Sequence, residues 1–208
     1  CFKDNFAISL DFTDISNTNK EHSYTNIISH NNYKKTIVYI NLVDFSIQSL
    51  LKYNDIIEFE SSLNIDEYKH EINHIYISPF GNKFVFVHRW YNKKNGVRNS
   101  RLLLYDLKTK KLKTLLNYGM VSHFSWVNEL QIVGFFNHPS FGNNFYNVNI
   151  DTLEINIISR KLISFGDGHP NILNNKMVFD SYPNRKGVQS LYLFDLQLKE
   201  LTKLGDFH

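Results

Sequence analysis

The chain has 208 residues and a formal net charge of +3 at pH 7, and 15% of its residues are aromatic. It is long enough to bury a sizeable core, and it has no dense run of Lys and Arg of the kind that nucleic-acid-binding proteins carry. Its single cysteine, Cys1, excludes an internal disulfide framework and any cysteine-based metal knuckle.

The start of the chain favours a cytoplasmic protein, because no signal peptide is visible. No apolar run reaches the length of a transmembrane helix. The chain opens on Cys1 rather than Met, and the stretch CFKDNFAISLDF runs directly into a predicted strand. A mature lipoprotein also begins with Cys, but it carries a flexible tether, so a truncated N-terminus is the preferred interpretation.

Four segments along the chain predict the same hairpin, in which an alternating apolar strand, a polar turn and a second apolar strand follow one another. The segments are VYINLVDFSIQSLL (38–51), LLYDLKTKKLKTLL (103–116), YNVNIDTLEINII (146–158) and LYLFDLQLKELTKL (191–204). Their shared turn position is held by Asn41, Asp106, Asn149 and Asp195.

A further strand pair precedes three of these hairpins. The three pairs lie at 73–90, 122–138 and 168–183, with the short polar turns SPFGNK, VNEL and LNNK. The repeating unit therefore has four strands and recurs every ~40–50 residues, which is the period of propeller blades.

The predicted fold is all-β, a single β-propeller domain over residues 1–208 built from four-stranded antiparallel blades. The blades lie at approximately 1–60, 70–117, 121–160 and 166–205. About four blades can be recognised in the sequence, and closed propellers have about four to eight. We therefore expect a partial propeller that missing blades or a second chain completes. A generic antiparallel sandwich is the alternative, and residues 53–71 are the best candidate for a helix.

One histidine recurs with the blade period. His74, His123 and His169 each stand at the entry to the first strand of a blade, at intervals of 49 and 46 residues (123 − 74 and 169 − 123). The first strand lines the central channel of a propeller, so we expect the three imidazoles to surround its axis. They either form a metal or anion site or bond neighbouring blades together. His208 is a loose fourth position.

The connections between second and third strands open on the same face as these histidines. Eight of their side chains are predicted to surround the ring: His88, Arg89, Trp90, Arg98, Arg101, His138, Tyr182 and Arg185. Arginine suits bidentate carboxylate binding, and Trp and Tyr offer flat faces to sugar rings. An alternative interpretation is that Arg98 and Arg101 are solvated loop charges. Trp126 is predicted to pack in the core.

Several stretches resemble the oligogalacturonate-lyase-like branch of the TolB-like propellers. They are HEINHIYISPFGNKFVFVHRW, GMVSHFSW, DGHP and DSYPNRKGVQSLYLFDL, and the resemblance covers about residues 70–208. It implies a seven-bladed propeller that binds a divalent, manganese-like metal and cleaves short uronate chains by β-elimination. Carried over by position, His123 and His169 are the metal ligands, with His74 as a further candidate. The stretch PNIL after DGH lacks the His and Gln that the family adds there.

The leading hypothesis is thus a carbohydrate-active propeller, a metal-assisted lyase of acidic, uronate-containing oligosaccharides. Loop placement makes Arg89, Arg98 and Arg101 the candidate catalytic residues. His88, Trp90, His138, Tyr182 and Arg185 are the candidate substrate-binding residues. One alternative is a non-catalytic propeller that binds glycan or protein through the same face, and another is a structural fragment whose histidines only lock blades.

Overall fold

The computed structural model describes residues 1–10, 36–60 and 67–207. His208, the loose fourth histidine, lies outside the described residues. The described residues form four antiparallel sheets, each of four strands hydrogen-bonded in chain order. The strands are β1 (Phe2–Lys3), β2 (Phe6–Leu10), β3 (Thr36–Asn41), β4 (Ile47–Lys52), β5 (Tyr68–Ile77), β6 (Lys83–Asn92), β7 (Arg98–Asp106), β8 (Lys111–Gly119), β9 (Val121–Asn128), β10 (Gln131–His138), β11 (Gly142–Asn149), β12 (Ile155–Ile157), β13 (Asn171–Leu173), β14 (Lys176–Asp180), β15 (Gln189–Asp195) and β16 (Leu201–Phe207).

The outer hairpins share one turn chemistry, which explains the repeated Asn or Asp position. The side-chain oxygen of that residue accepts a hydrogen bond from the backbone N–H two residues later, at 2.8–2.9 Å, in all four sheets. Four residues after it, the backbone enters the left-handed region. These residues are Phe45 (φ 59°), Lys110 (φ 57°), Leu153 (φ 60°) and Lys199 (φ 58°).

The core lies between successive sheets, because both faces of the inner sheets are apolar. On β6, Phe84 and Phe86 pack in the cluster shared with the first sheet, whereas Val85 and Val87 pack in the cluster shared with the third. This is the period-2 alternation of a strand buried on both sides. Trp126 is 6% exposed in that second cluster, so its predicted role in core packing is confirmed.

The helix predicted over residues 53–71 forms only in its first part, and residues 61–66 of that prediction lie outside the described residues. The helix α1 spans only Tyr53–Glu58, and β5 has already begun at Tyr68. A 3-10 helix, Arg160–Phe165, connects the third and fourth sheets. No helix in the described ranges is long and apolar enough to cross a membrane.

Candidate functional site

Strand pairing places His74, His123 and His169 at equivalent positions of three consecutive sheets. Each lies two residues before the residue that pairs with a valine of the next strand. The pairs are Tyr76–Val85, Ser125–Val133 and Asn171–Val178. Each valine in turn is the third residue of its strand. The register therefore supports the alignment made from the sequence.

The three imidazoles meet at one end of the sheets. The ring centroids of His74 and His123 are 4.9 Å apart, edge to face, and those of His123 and His169 are 3.8 Å apart. A pocket of about 380 Å³ opens beside them. Its lining residues are His74, Ile75, Tyr76, His123, Phe124, His169, Pro170 and Asn171. We call the side chains of His74, His123 and His169 the histidine cluster.

Two aspartates orient two of the three rings. Nδ1 of His123 lies 3.3 Å from Oδ1 of Asp167, and Nδ1 of His169 lies 2.9 Å and 3.0 Å from the two oxygens of Asp180. An ionised carboxylate only accepts hydrogen bonds, so each Nδ1 carries the proton. In the neutral ring, Nε2 of each histidine then keeps its lone pair for a ligand.

Asp180 is itself held firmly. Burial acts to raise the pKa of this carboxyl, but hydrogen bonds from the backbone N–H and ring of His169 outweigh burial and lower it. The backbone N–H of His169 donates to Oδ1 at 2.6 Å, and Nε2 of Gln189 donates to Oδ2 at 3.2 Å. Asp180 therefore stays ionised and fixes the position of His169.

A β-bulge accounts for the contacts of Asp167. Along β9 the pairing advances three residues, from Val121 to Phe124, while β10 advances only two. Neighbouring side chains on a regular strand point to opposite faces, but a bulge re-aims them. Ser122 and His123 consequently both contact Asp167, which accepts a hydrogen bond from the Ser122 hydroxyl. Ser122, only 4% exposed, thus orients the carboxylate.

His74 stays neutral beside the other two rings. Burial lowers the pKa of His74 to about 3, and the positive charge of Arg89 acts in the same direction. Its backbone is left-handed, with φ of 52°. A non-glycine residue in this conformation is strained, and such strain is common at binding sites.

Arg89 is a buried cation without a direct partner. It is 9% exposed, and the structure gives it no hydrogen bond or ion pair with any residue in the described ranges. Burial lowers the pKa of Arg89, and the charge of Arg98 adds to this effect. Glu71 and Asp167 oppose both effects from beyond ion-pair distance. Arginine nevertheless remains charged in proteins.

Two further predicted residues, Tyr182 and Arg98, lie near His169 and Arg89. The Tyr182 ring lies 6.2 Å from the His169 ring and is 54% exposed. Burial raises the pKa of the Tyr182 phenol, the nearby Asp167 adds to this, and Arg89 and Arg98 oppose it. The structure thus brings Arg89, Arg98 and Tyr182 into electrostatic range of one another.

His88 and Arg101 have a different environment. Arg101, 2% exposed, donates to the carbonyl oxygens of Phe59 at 2.7 Å and Ile56 at 2.8 Å, and its Nε donates to Nδ1 of His88 at 3.1 Å. His88 therefore carries its proton on Nε2 and donates to Nδ1 of His70 at 3.0 Å. Arg101 and His88 thus hold α1 against the second sheet. The described residues that line the pocket do not include these two, nor do they include Arg89, Arg98 or Tyr182, which lie near the histidine cluster without lining the pocket.

The remaining predicted residues lie within β6, at the end of β10 and in the connection between β14 and β15. Trp90 packs beside His88, with ring centroids 5.3 Å apart. His138 ends β10 and stacks on Phe141. Arg185 is exposed in the connection between β14 and β15.

Three residues that orient the cluster, Ser122, Asp167 and Asp180, were not predicted from the sequence. A local signal existed for Asp167, which stands in the DGH stretch two residues before His169. The same stretch contains Gly168, where a Cβ would lie 1.9 Å from the carbonyl oxygen of Asp180. The close approach of the two chains here requires glycine.

The predicted metal site is not preformed. Over the part of the chain that the structure describes, no three His, Cys, Asp or Glu side chains are grouped so that they could hold a metal ion. The donor chemistry fits in part, because Nε2 of His123 and of His169 has no hydrogen-bond partner among the described residues and each Nδ1 is fixed by a carboxylate. This carboxylate–histidine arrangement is typical of metal-binding histidines.

No family model matches the chain, and no curated protein matches it. Several solved structures share its fold. TolB from Acinetobacter baumannii superposes with a TM-score of 0.57 at 13% identity, over 81% of this chain and 37% of that one. An oligogalacturonate lyase in complex with manganese gives 0.56 at 11%, over 83% and 48%. The tricorn protease gives 0.59 at 9%, over 83% and 20%.

These similarities confirm the predicted fold class. The four sheets are blades of an all-β propeller of the kind found in TolB-like proteins. At such low identity the likeness extends to the fold alone, and the matched proteins include a lyase and a protease. The chain spans less than half the length of each of these three structures.

Proposed function

We propose that the protein is a carbohydrate-active propeller that binds acidic, uronate-containing oligosaccharides at the histidine cluster. The observation that carries this proposal is Arg89, a side chain that is 9% exposed and whose buried Nε has no hydrogen-bond partner in the described ranges. A buried charge without a partner is costly to the fold. A carboxylate that entered beside the cluster would supply the missing partner through two parallel hydrogen bonds.

The other groups around Arg89 suit a uronate rather than a simple anion. Tyr182 offers an aromatic face and a phenol that remains protonated, since its pKa is raised. Arg98 adds a second positive charge in electrostatic range. A sugar ring presents hydroxyl groups and an apolar face, which a phenol and an aromatic ring can contact together.

The finer proposal is a metal-assisted lyase. A divalent, manganese-like cation would be held by Nε2 of His123 and of His169, with His74 as a further donor, and would neutralise the substrate carboxylate and so stabilise an enolate-like charge. That carboxylate would also pair with Arg89. Because guanidinium stays protonated, Arg89 acts here as an electrostatic stabiliser and not as the base.

In β-elimination the carbon next to the carboxylate loses a proton, the glycosidic C–O bond at the next carbon breaks, and a C=C bond forms between the two. Because the lone pairs of His123 and His169 would be taken by the cation, the neutral imidazole of His74 accepts the proton in this step instead of serving as a further donor. The departing oxygen takes a proton in turn, and the protonated Tyr182 phenol is the group suited to supply it.

The test supplies the protein with short uronate oligosaccharides and follows the ultraviolet absorbance of the unsaturated product. Elemental analysis of dialysed protein, wild type against the variant His123→Ala/His169→Ala, measures bound metal. We expect both signals in the wild type and neither in the double variant. The exposed Arg160 provides a control, and Arg160→Met is expected to retain product formation and metal.

A non-catalytic glycan-binding propeller is the second candidate, and the lack of a three-ligand group within the described ranges favours it. Calorimetric binding of uronate oligosaccharides without product and without metal would select it over the lyase. No binding of any acidic sugar would refute both candidates.

A further inference from the structure

A group of aromatic rings lies around the end of β10 in the third sheet, outside the pocket. The His138 ring stacks on Phe141 with centroids 5.1 Å apart and planes 25° apart, and Tyr118 meets His138 edge to face at 5.8 Å. Phe141 is 53% exposed and Tyr118 is 41% exposed. We call Tyr118, His138 and Phe141 the aromatic ledge.

Hydrogen bonds from neighbouring residues fix the backbone of the aromatic ledge and the ring of His138. The backbone N–H of Ser140 donates to Nδ1 of His138 at 3.2 Å, and that of Phe141 donates to the His138 carbonyl at 3.2 Å. The side-chain amide of Asn137 donates to the Tyr118 carbonyl at 2.9 Å. The rings are thus preorganised, which reduces the entropy lost when a ligand binds.

The tautomer of His138 follows from these contacts. Because Nδ1 accepts the Ser140 N–H, the proton of the neutral ring is on Nε2. The aromatic ledge therefore combines two exposed flat faces with an N–H donor and the Tyr118 hydroxyl. This mixture suits a sugar ring, which presents an apolar C–H face and surrounding hydroxyl groups.

The aromatic ledge and the histidine cluster lie at the same end of the third sheet. Phe136 pairs with Val121 at the start of β9, and His138 continues β10 beyond that pair. His138 is consequently about three residues along and one strand across from His123, a separation on the order of 10 Å. One sugar cannot contact both places, whereas an oligosaccharide can.

We propose that the aromatic ledge is a second sugar subsite, which stacks on a pyranose ring of the same oligosaccharide whose acidic unit occupies the pocket. This proposal rests on the proposed function. It adds chain length to the specificity, because only ligands longer than one sugar gain the second contact. Phe141 is the main stacking residue, since one face of its ring is covered by His138 and the ring remains half exposed.

The experiment measures calorimetric dissociation constants for a monouronate and a tetrauronate. We expect the wild type to bind the tetrasaccharide at least about tenfold more tightly, and Phe141→Ala to remove most of that difference while leaving monouronate affinity unchanged. Phe141→Tyr is expected to retain it. Phe80 is the matched control, because it is 78% exposed but lies in the turn at the other end of the second sheet.

The outcomes separate the two proposals. If Phe141→Ala and Phe80→Ala bind the tetrasaccharide as tightly as the wild type, while Arg89→Met abolishes monouronate binding, the aromatic ledge is overturned and the pocket stands. If the folded wild type binds neither ligand, the proposed function fails, and a uronate subsite at the aromatic ledge fails with it.

Discussion

Two buried arginines on neighbouring strands predict opposite effects of the same substitution. Arg101 satisfies the carbonyls of Ile56 and Phe59 and the ring of His88, whereas Arg89 satisfies no group in the described ranges. Both are nearly inaccessible to solvent, at 2% and 9% exposure. Their replacement by Met, an apolar side chain of comparable length, therefore isolates the effect of pairing.

The expected magnitudes follow from the contacts. Arg101→Met leaves three acceptors without a donor, and each such group costs about 1–3 kcal/mol, so we expect a loss of about 3 kcal/mol or more. Arg89→Met removes an unpaired buried charge and keeps most of the packing, so we expect a gain of about 1–3 kcal/mol in the free energy of unfolding. The same Arg89→Met variant should lose uronate binding.

Urea denaturation followed by tryptophan fluorescence measures both variants against the wild type. With m of about 1–3 kcal/mol/M, the Arg89→Met midpoint should rise by about 1 M, and the Arg101→Met midpoint should fall by more. A decrease of 1 kcal/mol or more for Arg89→Met would show that the guanidinium already has a partner. Arg89 would then have no unmet need for a carboxylate, and the proposed binding site would be refuted.

Three further predictions concern stability and are each measured by urea denaturation. Gly168→Ala should destabilise the protein by about 1–3 kcal/mol, because its Cβ collides with the Asp180 backbone, whereas Gly205→Ala, which meets nothing within 4 Å, should be close to neutral. Lys199→Gly should stabilise by about 1 kcal/mol, since φ of 58° suits glycine, and a destabilisation would contradict the turn geometry. Burial, with Arg101 and His70 adding to it, lowers the pKa of His88 to about 3. Protons therefore bind the unfolded chain first, and His88 should account for about 2 kcal/mol of the stability lost as pH falls from 6.5 to 5. His88→Gln should remove that share only, because His74, whose pKa is also lowered to about 3, contributes a similar loss.

The sequence predicted the repeats well because their signals are local. An Asn or Asp at the turn and a two-residue alternation are read within a dozen positions, and the register that they imply placed His123 level with His74 and His169. The length of α1 was missed, because an apolar run followed by β5 carries no clear helix end. The partnership of His169 with Asp180 joins two strands through side-chain geometry that no local pattern encodes.

Strand alternation also explains why two adjacent predicted residues, His88 and Arg89, lie in different environments. On β6, His88 follows the face of Phe84 and Phe86, whereas Arg89 follows the face of Val85 and Val87. One position along the strand therefore distinguishes a residue that braces α1 from one that lies in electrostatic range of the histidine cluster. The sequence could have drawn this distinction, but it could not show that Arg89 would lack a partner.

The histidine cluster combines several arrangements that the fold alone does not require. Arg89 is buried without a partner, His74 is held neutral in a left-handed backbone, and Asp167 is reached only through a bulge in β9. Each reduces stability or interrupts a regular strand, and proteins retain such features mainly where a site needs them. These three features lie beside one pocket, and their proximity to it is the physical reason to place ligand binding there.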